Sequence, residues 1–207
     1  MEDRVVTDRI SSPRGGPEFA PPTASDACAP RQWELLVMRC QLGDRTAFAE
    51  LIAAWQAPLY QYARRMTADD EAARDAVQDV WLRVLRGIHK LRDASRLRPW
   101  IFGIARRVLM DRFRALYASP PPTALEDNDV AAESSTDDLE ADADHLHAGL
   151  ARLPVVEREV LTLFYLQEQS LAETAEVLGV PVGTVKSRLY RARLLLRRAL
   201  EKEGWRS

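Results

Sequence analysis

The sequence predicts an all-α protein: two helical domains, at 31–116 and 146–203, joined by an acidic flexible linker at 117–145 and preceded by a Pro-rich disordered tail at 1–30. Three observations predict it. Within both units apolar residues recur at steps of three and four and nowhere alternate for long, the period of helices rather than strands. The stretches outside the units lack that period and are rich in proline or acid. Charge segregates in the same blocks: 16 basic against 10 acidic side chains over 31–116 and 10 against 7 over 146–207, but 9 acidic and no basic ones over 117–145.

The elements follow in order. The tail holds Pro13, Pro17, Pro21, Pro22 and Pro30 with Gly15 and Gly16, and too little apolar surface to repay the entropy of ordering. Phe48, Leu51, Ile52, Trp55 and Leu59 form the first helical stripe, after a cap at Asp44. Val77, Val80, Trp81, Val84, Leu85 and Ile88 form the second, opened by Thr67 to Glu71, whose acids suit the positive start of a helix dipole. A third helix is predicted where Pro99 fits a first turn, with Ile101, Ile104, Ala105 and Val108 inward. The linker opens with Ser119-Pro120-Pro121-Pro122 and continues as a self-repelling acidic run.

The second unit is signalled more sharply. Ser170 and Glu173 have the spacing of a capping box, the helix runs to about Leu178, and Gly179 suits the left-handed turn that ends it. A further helix begins near Gly183 and turns Val185, Leu189, Ala192 and Leu196 inward. Small Ala175 lets the two approach, which is a helix-turn-helix arrangement.

Composition excludes several classes. A chain of 207 residues allows one or two domains, and 46% hydrophobic with 29% charged residues suits a globular protein that can bury a core. No apolar run approaches the roughly 18 residues of a membrane span, and the start lacks a signal core, so a cytoplasmic protein without membrane insertion is expected. Cys28 and Cys40 make no disulfide framework. His145 and His147 lie beside Asp142 and Asp144, yet His-x-His on a helix sends its rings to opposite sides, so no metal site is expected. No phosphate loop, nucleophile elbow or HExxH appears, so neither an enzyme nor a cofactor is expected.

Three faces remain as binding candidates. Thr184, Ser187, Arg188 and Arg191, flanked by Lys186 and Arg193, make a polar, basic ridge just after the glycine turn. Hydroxyls and guanidiniums so placed can read base edges in a major groove and hold phosphates; the competing reading is a merely solvated face. Arg98, Trp100, Phe102, Arg106, Arg107, Arg112, Phe113 and Arg114 mix rings with cations, as single-stranded nucleic acid requires; the same rings could equally be core. Asp75, Gln78, Asp79, Arg83 and Arg86 form a third face, solvated or a partner surface.

Taken together, Asp75-Ala76-Val77-Gln78-Asp79-Val80-Trp81-Leu82-Arg83, Arg98-Pro99-Trp100-Ile101-Phe102-Gly103-Ile104-Ala105-Arg106-Arg107 and Gly183-Thr184-Val185-Lys186-Ser187-Arg188-Leu189-Tyr190-Arg191-Ala192-Arg193 resemble, in order and spacing, bacterial RNA polymerase sigma factors of the extracytoplasmic-function (ECF) group, in the sigma-70 family. The resemblance implies a promoter-specificity subunit. Its first domain would bind the β′ clamp helices of core RNA polymerase through Asp75, Gln78, Asp79 and Arg83, with the β subunit as a further contact. The loop at 89–97 with Arg98, Trp100, Arg106 and Arg107 would capture the minus-ten element of promoter DNA as single strand. Thr184, Lys186, Ser187, Arg188 and Arg191 would read the minus-thirty-five duplex. The linker would sit in the channel later used by RNA, and an anti-sigma partner would regulate the whole. A stand-alone helix-turn-helix regulator is the alternative. The pattern departs from many members at Arg107 and Pro181.

Overall fold

The computed structural model describes residues 30–118 and 146–202, apart from Ala68 and His147. The tail, nearly all of the linker, and the histidine pair at 145 and 147 lie outside the described residues. Helices account for the fold: α1 (Pro30–Gln41), α2 (Arg45–Met66), α3 (Asp70–Gly87), α4 (Leu97–Ala118), α5 (Val155–Leu161), α6 (Leu171–Leu178) and α7 (Val182–Lys202), with a helical turn at 148–151. Among the described residues there is no strand.

Local chemistry explains where the helices begin and stop. The Asp44 side chain accepts from the amides of Thr46 and Ala47 at 2.8 and 3.1 Å, satisfying two donors that α2 leaves open at its start. Asp69 does the same for Ala72 at 2.7 Å, and Asp70 and Glu71 add charge to the first turn of α3. The capping box of α6 closes both ways: Glu173 N donates to Ser170 Oγ at 3.2 Å, and Ser170 N donates to Glu173 Oε2 at 2.8 Å. Gly179 stops α6 at φ 66°, ψ 36°, a conformation that a Cβ would strain. α7 follows three residues later.

Two details depart from the sequence reading. Leu85, assigned to the inward stripe of α3, is 54% exposed, because Val77, Val80, Val84 and Ile88 already fill the arc facing the core. The helix expected at Pro99 starts at Leu97 and runs through Ala118, two residues into the stretch assigned to the linker.

The core of the first unit is built around rings. Trp33 of α1 meets Trp55 of α2 edge-on at 5.8 Å, Trp55 meets Phe102 of α4 at 6.2 Å, and Phe102 meets Tyr62 at 5.5 Å. Burying each such ring stabilises by roughly 4 to 6 kcal/mol before ordering entropy is subtracted. In the second unit Val160, Leu163, Ala175, Leu178, Val185, Leu189 and Ala192 are buried together. The two units are packed on each other, α4 against α6 and α2 against α5, so the buried residues form one continuous cluster. α5 does not end cleanly: Thr162–Leu166 continue it as a π-helical turn, Gln167 N bonding back to Thr162 O at 2.9 Å, and Glu168 follows at φ 48°. Just past this bend the Gln167 carbonyl accepts from Arg98 of the first unit.

Candidate nucleic-acid interface

Three surfaces carry the residues singled out by sequence, and a fourth feature joins two of them. On the outer face of α3, Asp75 and Gln78 are exposed. Asp79 and Arg83 are instead braced onto α4: Arg112 Nη2 donates to Asp79 Oδ2 at 2.6 Å, and Arg83 Nη1 to Asp111 Oδ2 at 3.1 Å. Leu82 and Leu85 lie exposed among them, so the face carries two large apolar side chains beside its charges.

The second surface is the loop from α3 to α4 and the start of α4. Two 3-10 turns, Ile88–Lys90 and Ala94–Arg96, shape the loop. Its tip is closed by Asp93, whose carboxylate accepts from Ser95 Oγ at 2.6 Å and Ser95 N at 3.0 Å; these bonds hold its pKa below the usual range. Its foot is held by α1: Gln41 Nε2 donates to Ile88 O at 3.0 Å and Leu91 O at 2.8 Å. Trp100 is half-buried against Gly87, where an added Cβ would come within 3.3 Å of the indole. Arg107 is exposed. Arg98 and Arg106 are half-buried and turn to the second unit, Arg98 Nη2 donating to the Gln167 carbonyl. The candidates thus divide, Trp100 and Arg107 on one side, Arg98 and Arg106 on the other.

The third surface is α7. Lys186 and Ser187 are exposed and Thr184 and Arg188 half-buried; Ser187 Oγ donates to Thr184 O at 2.9 Å. Arg191 Nε reaches back to Glu157 Oε1 of α5 at 3.2 Å. The ridge is present, with one of its arginines held by protein.

The fourth feature is a clasp between the units. Glu159 of α5 is buried, its side chain 3% exposed, and one oxygen accepts from both Tyr62 OH and Arg106 Nε at 3.0 Å. Burial raises its pKa above the usual carboxylate value, against the opposing pull of Arg106, the Tyr62 hydrogen bond and Arg188. Burial, with Glu159 beside it, pushes the Tyr62 hydroxyl well above its ordinary value. Arg96 Nη2 adds an ion pair to Glu176 Oε1 of α6 at 2.6 Å. In the second unit Gln167 Nε2, both amide atoms of Gln169 and Thr174 Oγ1 are buried with no protein partner among the described residues.

Sequence reasoning missed Glu159, Tyr62 and Gln41. A signal existed for one: Glu159 interrupts the face shared by Val155, Thr162 and Leu163, whereas Gln41 is an exposed polar residue at the end of α1 that the pattern does not single out. Among the described residues no group of His, Cys, Asp or Glu could hold a metal ion, and no helix is long and apolar enough to cross a membrane.

Comparison with known proteins adds the context. The family model for sigma-70 region 2 matches residues 51–117, and that for sigma-70, region 4 matches 144–196. The ECF RNA polymerase sigma factor SigM of Mycobacterium tuberculosis is 37% identical over 158 residues, 76% of this chain and 79% of the relative. ECF sigma factor SigW of Bacillus subtilis is 28% identical over 177 residues, 79% of this chain and 94% of the relative. Among solved structures, CnrH in complex with the cytosolic domain of CnrY superposes with a TM-score of 0.62 at 25% identity, over 81% of this chain and 96% of that one.

Proposed function

This chain belongs to the ECF sigma factors of the sigma-70 family, and from that premise we propose how its parts share the work of promoter recognition. As a sigma factor it joins core RNA polymerase and directs promoter-specific, DNA-templated transcription initiation. Its role is that of an initiation factor. The α3 face, with Asp75 and Gln78 exposed and Asp79 and Arg83 braced, docks on the β′ clamp helices. The loop at 89–97, with Arg98, Trp100, Arg106 and Arg107, captures the minus-ten strand once the duplex opens. α7 enters the major groove at the minus-thirty-five element through Thr184, Lys186, Ser187, Arg188 and Arg191. An anti-sigma protein is the proposed regulator, since CnrH is seen bound to another protein, the cytosolic domain of CnrY.

The observation that carries this reading is the placement of three separate surfaces on α3, α4 and α7 of one chain, the last built as a capped helix-turn-helix. A stand-alone regulator would use α7 and leave the other two idle. The clasp fits the same mechanism, because Arg98 and Arg106 are engaged across the seam by Gln167 and Glu159 and must be released before they can meet phosphate, while Arg191 is held by Glu157 within its own unit. Docking on polymerase pulls the units apart, and the shared mount lets two weak DNA contacts add through effective concentration.

The test is transcription from a broad promoter library by core polymerase supplemented with the purified chain. Initiation that depends on the chain is expected, and Arg188→Glu lowers use of the upstream element by about tenfold, one direct contact being worth roughly 1 to 3 kcal/mol. No dependent transcript from any template would overturn the proposal.

A further inference from the structure

We propose that Gln41, at the end of α1, positions the minus-ten loop: its amide holds the foot of the loop in the shape in which the tip discriminates bases. The inference rests on the reading that residues 89–97 capture the minus-ten strand. It concerns a residue that lies outside both matched stretches, 51–117 and 144–196.

The foot is a short turn closed by Leu91 N on Ile88 O at 3.1 Å. Ile88 and Leu91 plug into the core and fix the apolar side of that turn. The polar side is fixed by Gln41 alone among the side-chain hydrogen bonds described there: its Nε2 donates to Ile88 O and to Leu91 O, one carbonyl at each end of the turn. A primary amide has two donors, and both are spent here. Gln41 is exposed, but the helix that carries it is anchored in the core by Trp33, Leu36, Val37 and Cys40.

Farther along, the loop is tied twice more, by Asp93 on Ser95 and by Arg96 on Glu176. The Arg96 tie reaches across the seam and is lost once the units separate. In the working form, Gln41 then supplies the remaining side-chain hydrogen bonds, among those described, between the loop's foot and a helix outside the loop's own stretch of chain, beside the apolar packing of Ile88 and Leu91. Discrimination between bases needs a pocket held in one shape, because a loop that adapts accepts the wrong base at little extra cost.

The experiment uses holoenzyme assembled from core polymerase and the full chain, with one promoter library randomised at the minus-ten element and a second at the minus-thirty-five element. Gln41→Leu removes both donors at similar size; Gln41→Glu keeps the shape and turns an acceptor on the two carbonyls. Both are expected to reduce the preference for the best over the second-best minus-ten base by about three- to tenfold, the scale of one or two net hydrogen bonds. Minus-thirty-five preference and core affinity stay unchanged, and Gln41→Lys, which restores a donor, recovers most of the preference.

Minus-ten profiles of both variants that overlay the wild type would overturn the inference. So would a parallel loss of core affinity and of both preferences, which marks a residue that merely keeps the domain folded. Arg92→Gly and Ser95→Gly separate the role of Gln41 from the role of the loop itself. If those changes alter the minus-ten profile and the Gln41 variants do not, only the role of Gln41 falls; if they too leave it unaltered, the loop does not read the element and both fall.

Discussion

Glu159 is a carboxylate with two donors and almost no water, and its replacements separate those two donors. Glu159→Gln keeps an acceptor for Tyr62, whereas Glu159→Ala leaves a fully buried hydroxyl without one. The alanine variant is therefore expected to be less stable than the glutamine variant by about 1 to 3 kcal/mol in urea unfolding. The pH dependence follows from burial raising its pKa above 4.5 in the packed form, against Arg106 from α4, Tyr62 from α2 and Arg188 from α7. A raised value means that the packed form binds the proton more tightly. Its contribution is complete below 4.5 and is lost as pH rises through the raised value. Lowering the pH through the raised value toward 4.5 should thus tighten the packing of the units, seen as a higher urea midpoint, and Glu159→Gln should erase that contribution. On α3 the structure also sharpens a choice of variant. Asp75→Arg reverses an exposed charge that braces nothing, so loss of core affinity in a pull-down reads docking directly; Asp79→Arg would also set two guanidiniums together at Arg112. What could be read at this scale was local. Asp44, Ser170 and Gly179 act within a few residues of themselves, while Glu159 takes its meaning from partners 97 and 53 residues away.

At the scale of elements, caps and turns decide whether α6 and α7 meet at the angle a groove requires. Ser170→Ala removes half of the capping box and should lower stability by about 1 kcal/mol. Gly179→Ala forces a Cβ into the left-handed region and should cost about 1 to 2 kcal/mol. Thermal unfolding measures both, and binding of holoenzyme to a minus-thirty-five duplex should fall with them. The periodic helices, α2, α3, α4 and α7, were legible because their apolar residues keep to one arc. α1 was not singled out, for a physical reason: Leu35 and Met38 are exposed while Trp33, Leu36, Val37 and Cys40 are buried, so apolar residues ring the helix and blur the stripe. The π turn at Thr162–Leu166 was hidden too, since five residues of wider winding leave no periodic mark in the sequence.

The whole molecule shows why block charges mislead. Two basic units should repel, yet the second contributes Glu159 and Glu176, two acids that meet Arg106 and Arg96 of the first. Net charge averages these away, and only folding reveals them. The 27 residues between the described units could reach about 90 Å if fully extended, so separation breaks no covalent limit. Fluorescent labels at the exposed Glu71 and Arg197 should therefore lose energy transfer when core polymerase is added. Transfer that stays constant through open-complex formation would show that the packed arrangement is also the working one.

The pairing of Tyr62 with Glu159 also bears on how freely such proteins can be recombined. A chimera that grafts the distal half onto a relative's proximal half, or the reverse, would inherit a carboxylate without its phenol or a phenol without its carboxylate. Such hybrids should assemble poorly unless both halves of the pair travel together, so the natural unit of exchange here is the matched couple rather than the single domain.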